Sequence, residues 1–72
     1  MTPYRLDIVT SGIPEPLHTE HFSAPSELAA IVTARDFTKE LVDNPEEERG
    51  ELYAGDEHVT TIRLARDEED AR

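Results

Sequence analysis

A chain of 72 residues without cysteine has only its apolar side chains to hold it folded, and nineteen of these are larger than alanine. Disulfides and thiolate metal sites, two usual supports of very small domains, are therefore excluded. Nineteen such groups can cover one face of one sheet with one helix. One thin domain follows, and self-association is the remaining way to bury more surface.

The apolar spacing says what the parts are. From Tyr4 to Thr10, Tyr4, Leu6 and Ile8 alternate with Arg5 and Asp7, the two-residue period of a half-buried strand. Ser11-Gly12-Ile13-Pro14-Glu15-Pro16 breaks it, and Leu17 to Phe22 offers a return strand with no cleanly apolar side. Ser23-Ala24-Pro25-Ser26-Glu27 has the chemistry of a helix start: Pro25 suits a first turn, Ser23 or Ser26 can cap free amides, and Glu27 complements the dipole. The spacing predicts a helix from about Pro25 to Val42, closed by Asn44-Pro45. Around it Leu28, Ile31, Val32 and Val42 form one apolar stripe, which Ala30, Ala34, Phe37 and Leu41 widen to roughly 200°, with Phe37 at the far edge.

Pro45 to Gly50 reads as an acidic loop. Glu51 to Ala54 and His58 to Ala65 then read as a hairpin turning at Gly55-Asp56, with Thr60, Ile62 and Leu64 alternating against Val59, Thr61 and Arg63. Gly12, Gly50 and Gly55 each read as a turn glycine. The expected fold is a small single α+β domain over residues 1–66, ββαββ, with one amphipathic helix on a mainly antiparallel sheet of three or four strands. Residues 67–72 carry four acids and no large apolar side chain, and read as a disordered acidic tail.

Eleven of the seventeen carboxylates fall in the last thirty residues, and the formal charge is −10. Such a chain repels polyphosphate and anionic lipid and attracts basic surfaces. Arg5, Arg63 and Arg66 are too few and too diluted by acids for a nucleic-acid stripe, so no direct nucleic-acid binding is expected. No apolar run approaches the ~20 residues of a membrane helix, and the amino terminus lacks a charged segment followed by an apolar one. A cytoplasmic protein is expected. Six of the seven basic residues are Arg, a bias of GC-rich coding that suggests a bacterium or a phage infecting one.

Chemistry finds little support. His18, His21 and His58 are the metal candidates, but residues three apart on a strand point to opposite faces. The carboxylates sit in loops and a tail rather than a dry pocket, and the segment from Asp43 to Glu48 lacks the ligand spacing and central glycine of a calcium loop. Ser11, Ser23 and Ser26 occupy turn and cap positions, and there is no Gly-rich phosphate loop. No enzyme activity, cofactor or metal is expected, and no motif carries a family resemblance.

Two features remain for recognition. One is an apolar flank of Phe37, Ala30 and Leu41, extended by Tyr53 or Val9 from the outer sheet face, which could bury itself against another protein or a second copy as a homodimer. The other is an acidic surface of Asp43, Glu46, Glu47, Glu48, Asp56 and Glu57 that could steer a basic partner. The leading expectation is a non-enzymatic protein-binding module, an adaptor or inhibitor acting on a protein with a basic surface. A DNA mimic that occupies the channel of a nucleic-acid-binding protein is the first alternative. A metal protein or enzyme built on His18, His21 and His58 is the second.

Overall fold

The computed structural model describes residues 1–64. It contains β1 (Thr2–Thr10), β2 (Ile13–Ala24), α1 (Glu27–Leu41), β3 (Glu48–Ala54) and β4 (Glu57–Ile62). The strands form one sheet in the order β2-β1-β3-β4, each neighbouring pair antiparallel. The fold is therefore α+β with ββαββ order, and α1 crosses above β1 to connect two strands that run the same way. The molecule is a slab 19 Å thin, one helix layer on one sheet layer. Among the described residues no element covers the other sheet face. Residues 67–72, where an acidic tail is expected, lie outside the described residues.

Period-two alternation builds the sheet half of the core. Tyr4, Leu6 and Ile8 on β1, Leu52 on β3 and Ile62 on β4 all point to the helix side and are buried. Phe22 joins them opposite Tyr4, the rings stacked with centroids 5.8 Å apart, and Phe37 of α1 closes on Phe22 at 5.7 Å. Burying an aliphatic side chain stabilises by about 1.5–3 kcal/mol, so these few residues provide most of the hydrophobic driving force.

The helix half departs from the reading that its largest apolar residues face inward. The buried positions of α1 are Ala30, Ala34 and Thr38, whereas Leu28 and Val32 are 72% and 54% exposed. The sheet already fills the space with large side chains, so the helix offers small ones and sits close. Gly50 shows how close. It is not a turn glycine as its sequence neighbourhood suggests; it lies inside β3, buried, and a Cβ there would come 2.5 Å from Thr38 Oγ1 and 3.1 Å from Leu6 Cδ1. The buried Thr38 hydroxyl donates to the Ala34 carbonyl at 2.7 Å, so it carries no unsatisfied polar atom into the core.

Capping sets the ends of α1. Ser26, not Ser23, is the N-cap, and its hydroxyl accepts the Ala29 N–H at 3.1 Å; Pro25 stands one residue ahead of the cap. At the other end the chain turns extended at Val42, whose N–H donates to the Thr38 carbonyl. β1, β2 and β3 run longer than their spacing suggests, whereas β4 ends at Ile62 and so leaves out Arg63 and Leu64 of the strand expected from His58 to Ala65. β2 begins at Ile13 and passes through Pro14 and Pro16, which an edge strand tolerates because one side of its backbone has no ladder to break. Gly12 and Gly55 take positive φ, 84° and 63°, at the two hairpin turns. Among the described residues no helix is long and apolar enough to cross a membrane.

Gly50→Ala should destabilise the fold by about 1–3 kcal/mol in urea unfolding, the range expected for overpacking. Adding Thr38→Ala should recover part of that loss, because the two side chains compete for one space and their effects cannot add. Full additivity in this cycle would show that Gly50 has another role.

Candidate functional site

The uncovered sheet face carries a connected set of polar side chains, positioned by the same alternation that sends Leu6, Ile8 and Leu52 inward. Arg5 pairs in register with both His21 and Tyr53, and Asp7 with both Thr19 and Glu51. Each central strand thus presents an arginine and an acid two residues apart, Arg5 with Asp7 and Arg49 with Glu51. Arg5 Nε lies 3.5 Å from Asp7 Oδ1 without making a hydrogen bond there, and its guanidinium sits 4.5 Å above the Tyr53 ring. Thr19 donates to Asp7 Oδ1 at 3.0 Å.

Glu51 is the centre of this network. Arg49 Nε donates to its Oε2 at 2.9 Å, while Thr61 Oγ1 and His58 Nε2 both meet its Oε1, the imidazole at 2.9 Å. Partial burial pushes the Glu51 carboxyl upward and is the largest single influence. The hydrogen bonds from Thr61, His58 and Arg49, with the Arg49 charge, together outweigh it and hold the carboxyl below its ordinary value. Glu51 is therefore a fixed ionised acceptor.

His58 reaches this face through an irregularity. Strict alternation with Thr60 and Ile62 would turn it toward the helix, but the β3–β4 register shifts between Leu52 and Tyr53, so that His58 pairs with Tyr53. The extra residue is Val59, which packs partly into the core, and the imidazole meets the Tyr53 ring edge-on at 5.3 Å. Bulges re-aim side chains in this way. Beside the network, toward the β1–β2 turn, Val9, Ile13, Pro14, Arg49 and Tyr53 border a groove of about 630 Å³ that is wide open to solvent.

The residues singled out from the sequence do not gather in one place. Phe37 and Leu41 lie on the helix side, half-buried against the core, and Ala30 is fully buried. Tyr53 is on the opposite face of the sheet, so it cannot extend their flank. Asp43, Glu46, Glu47 and Glu48 precede or begin β3, while Asp56 and Glu57 follow it. A seven-residue strand separates the two groups by roughly 20 Å at ~3.3 Å per residue. Glu48 is further committed, its carboxylate accepting the Asn44 N–H at 3.1 Å and the Asp43 N–H at 3.4 Å, and Glu47 accepts from the Asn44 side chain at 3.2 Å. Of the histidines, His18 pairs with Ile8 and His21 with Arg5, on opposite faces, and β1 and β3 lie between His21 and His58. Among the described residues no three His, Asp or Glu side chains form a metal-binding group.

The sequence did hold one sign of this network. Arg-x-Asp at Arg5 and Arg-x-Glu at Arg49 put opposite charges on one face of two strands, but their adjacency depends on β1 pairing with β3. Comparison with protein-family models, curated proteins and solved structures gives no match, so the functional reading rests on the chain's own geometry.

Glu51 also sets a pH dependence. Because its folded pKa is lowered, its contribution is present above the unfolded value of 4.5 and is lost as pH falls through the folded value. Chemical-denaturation midpoints measured down to the acid limit should fall less steeply for Glu51→Gln than for the wild type. Parallel curves would mean that other carboxyls govern acid unfolding.

Proposed function

We propose that the chain is a small, non-enzymatic protein-binding module of the cytoplasm, an adaptor or inhibitor that attracts a partner with a basic surface and acts by occupying it. One observation carries this reading: the carboxylates divide by role. Glu48 and Glu51 are half-buried and their oxygens are occupied by backbone amides or by Thr61, His58 and Arg49, whereas Asp43, Glu46, Asp56 and Glu57 stand exposed at the two ends of β3. Exposed like charges repel, and with a net charge of −10 they favour a cationic counterpart whose approach they accelerate.

The open-face network supports binding over catalysis. General acid–base work needs a carboxyl with a raised pKa in a dry pocket, and Glu51 is shifted the other way beside an open groove. The DNA-mimic reading needs acids in continuous rows at phosphate spacing. Here the rows are interrupted, since Arg5 and Arg49 occupy the sheet face between the two acidic ends.

Capture of partners from a host lysate, with identification of the retained proteins, tests the proposal. Retained proteins should be basic, and high salt should release them. Glu46→Lys combined with Asp43→Lys and Asp56→Lys should abolish retention while circular dichroism stays unchanged, because all three positions are exposed. Retention that ignores both salt and charge reversal would overturn the reading.

A further inference from the structure

The ladder between β1 and β2 opens near its turn. Ile8 still pairs with His18, but the next paired residues are Thr10 and Ile13, so Val9 alone stands opposite Pro14, Glu15, Pro16 and Leu17. The two prolines in that stretch have no N–H to donate to β1, which favours the parting of the strands here. Ile13 and Leu17 are left 50% and 42% exposed beside the gap. Register puts Val9 next to Arg49, on the same face as Tyr53, and these residues with Ile13 and Pro14 border the open groove of about 630 Å³. The depression is thus built into the sheet by backbone geometry.

Charge around the groove is uneven. Arg49 is the cation among the lining residues, and its Nε is committed to Glu51, so this pair is locally neutral. Beyond the pair stand two exposed carboxylates, one on each bank. Glu15 lies between Pro14 and Pro16 in the parted stretch of β2, and Glu47 is held on the other side by its backbone carbonyl, which accepts the Thr10 hydroxyl at 3.1 Å. The Glu47 carboxylate meets the neutral side-chain amide of Asn44, which cancels none of its charge. Two negative banks about an apolar floor complement a ligand that is apolar at its middle and cationic at its flanks.

We propose that this groove is where the basic partner docks, and that the docked element is an extended segment with an aliphatic side chain against Val9, Ile13 and Tyr53 and a lysine or arginine on either side of it. The proposal rests on the basic-partner reading and gives that partner a site and a chemistry. In an extended chain the neighbours of the anchor point away from the floor, where long cationic stems can reach Glu15 and Glu47 on the banks. The groove has the volume of a ligand site, but it is too open to enclose a small molecule, which favours a chain segment laid across it. An anionic segment would meet both banks as like charges.

The probes are three end-blocked peptides, Gly-Lys-Leu-Lys-Gly, Gly-Lys-Ser-Lys-Gly and Gly-Glu-Leu-Glu-Gly, titrated into the full chain at low salt and followed by amide NMR shifts. The first should bind with shifts centred on Val9, Ile13 and Arg49, and the second, which lacks the anchor, about tenfold more weakly. The third should not bind. Ile13→Ser should weaken the first peptide about tenfold, and Glu15→Lys combined with Glu47→Lys should make the third the tighter ligand. Circular dichroism should stay that of the wild type, because all three positions are exposed. Equal binding of the first two peptides, or shifts confined to Asp43 and Glu46 or to Asp56 and Glu57, overturns the groove and leaves the basic-partner reading standing. Failure of the first peptide to bind, a wild-type preference for the third, or a mass that doubles from 8.1 kDa until peptide is added, which would give the groove to a second copy, overturns it as well. The basic-partner reading fails separately, on lysate capture that ignores salt and the reversal of Asp43, Glu46 and Asp56.

Discussion

The close seat of α1 on the sheet governs what the rest of this small molecule can do. Gly50 has no side chain where Thr38 descends, and Ala30 and Ala34 keep the neighbouring turns of the helix low. Leu6, Ile8, Leu52 and Ile62 then fill the space from the sheet side and are buried there. Large groups from one layer interdigitate with small ones from the other, so few aliphatic residues suffice. The consequence is a helix whose larger aliphatic residues, Leu28 and Val32, are left outside.

A slab of two layers also leaves one sheet face to water, and its polar residues satisfy one another there. Asp7 and Glu51, opposed in register, would repel if each did not carry its own arginine two residues away on the same strand. The Val59 bulge completes the arrangement by delivering His58 to Glu51 and Tyr53. The charged groups nearest the middle of the sheet are thereby neutralised locally, and the net negative charge is expressed at the loops, turns and helix exterior. Thinness of the fold and the distribution of its charge are two results of the same layering.

Edges follow from the same economy. Among the described residues the four-stranded sheet is open at β2 and β4, and the chain interrupts β2 with two prolines and β4 with the bulge at Val59. The summed carboxylates keep copies of the chain apart at long range, and added salt weakens that repulsion.

The sequence by itself determined the element order, the single sheet with one helix, the inward set Tyr4, Leu6 and Ile8, and the helix stop near Val42, since each depends on local periodicity, capping or a proline. The helix rotation was not legible, because hydrophobicity ranks Leu28 and Val32 above Ala30, Ala34 and Thr38, and only the space left by the sheet reverses that order. The role of Gly50 was hidden for the same reason: a strand glycine under a helix reads locally like a turn. The separation of Asp43 and Glu46 from Asp56 and Glu57 depended on where β3 begins. The Glu51 network required β1 to lie beside β3 and the bulge to turn His58 over. These are consequences of long-range pairing and packing, which bring together residues dozens of positions apart and which local pattern does not encode.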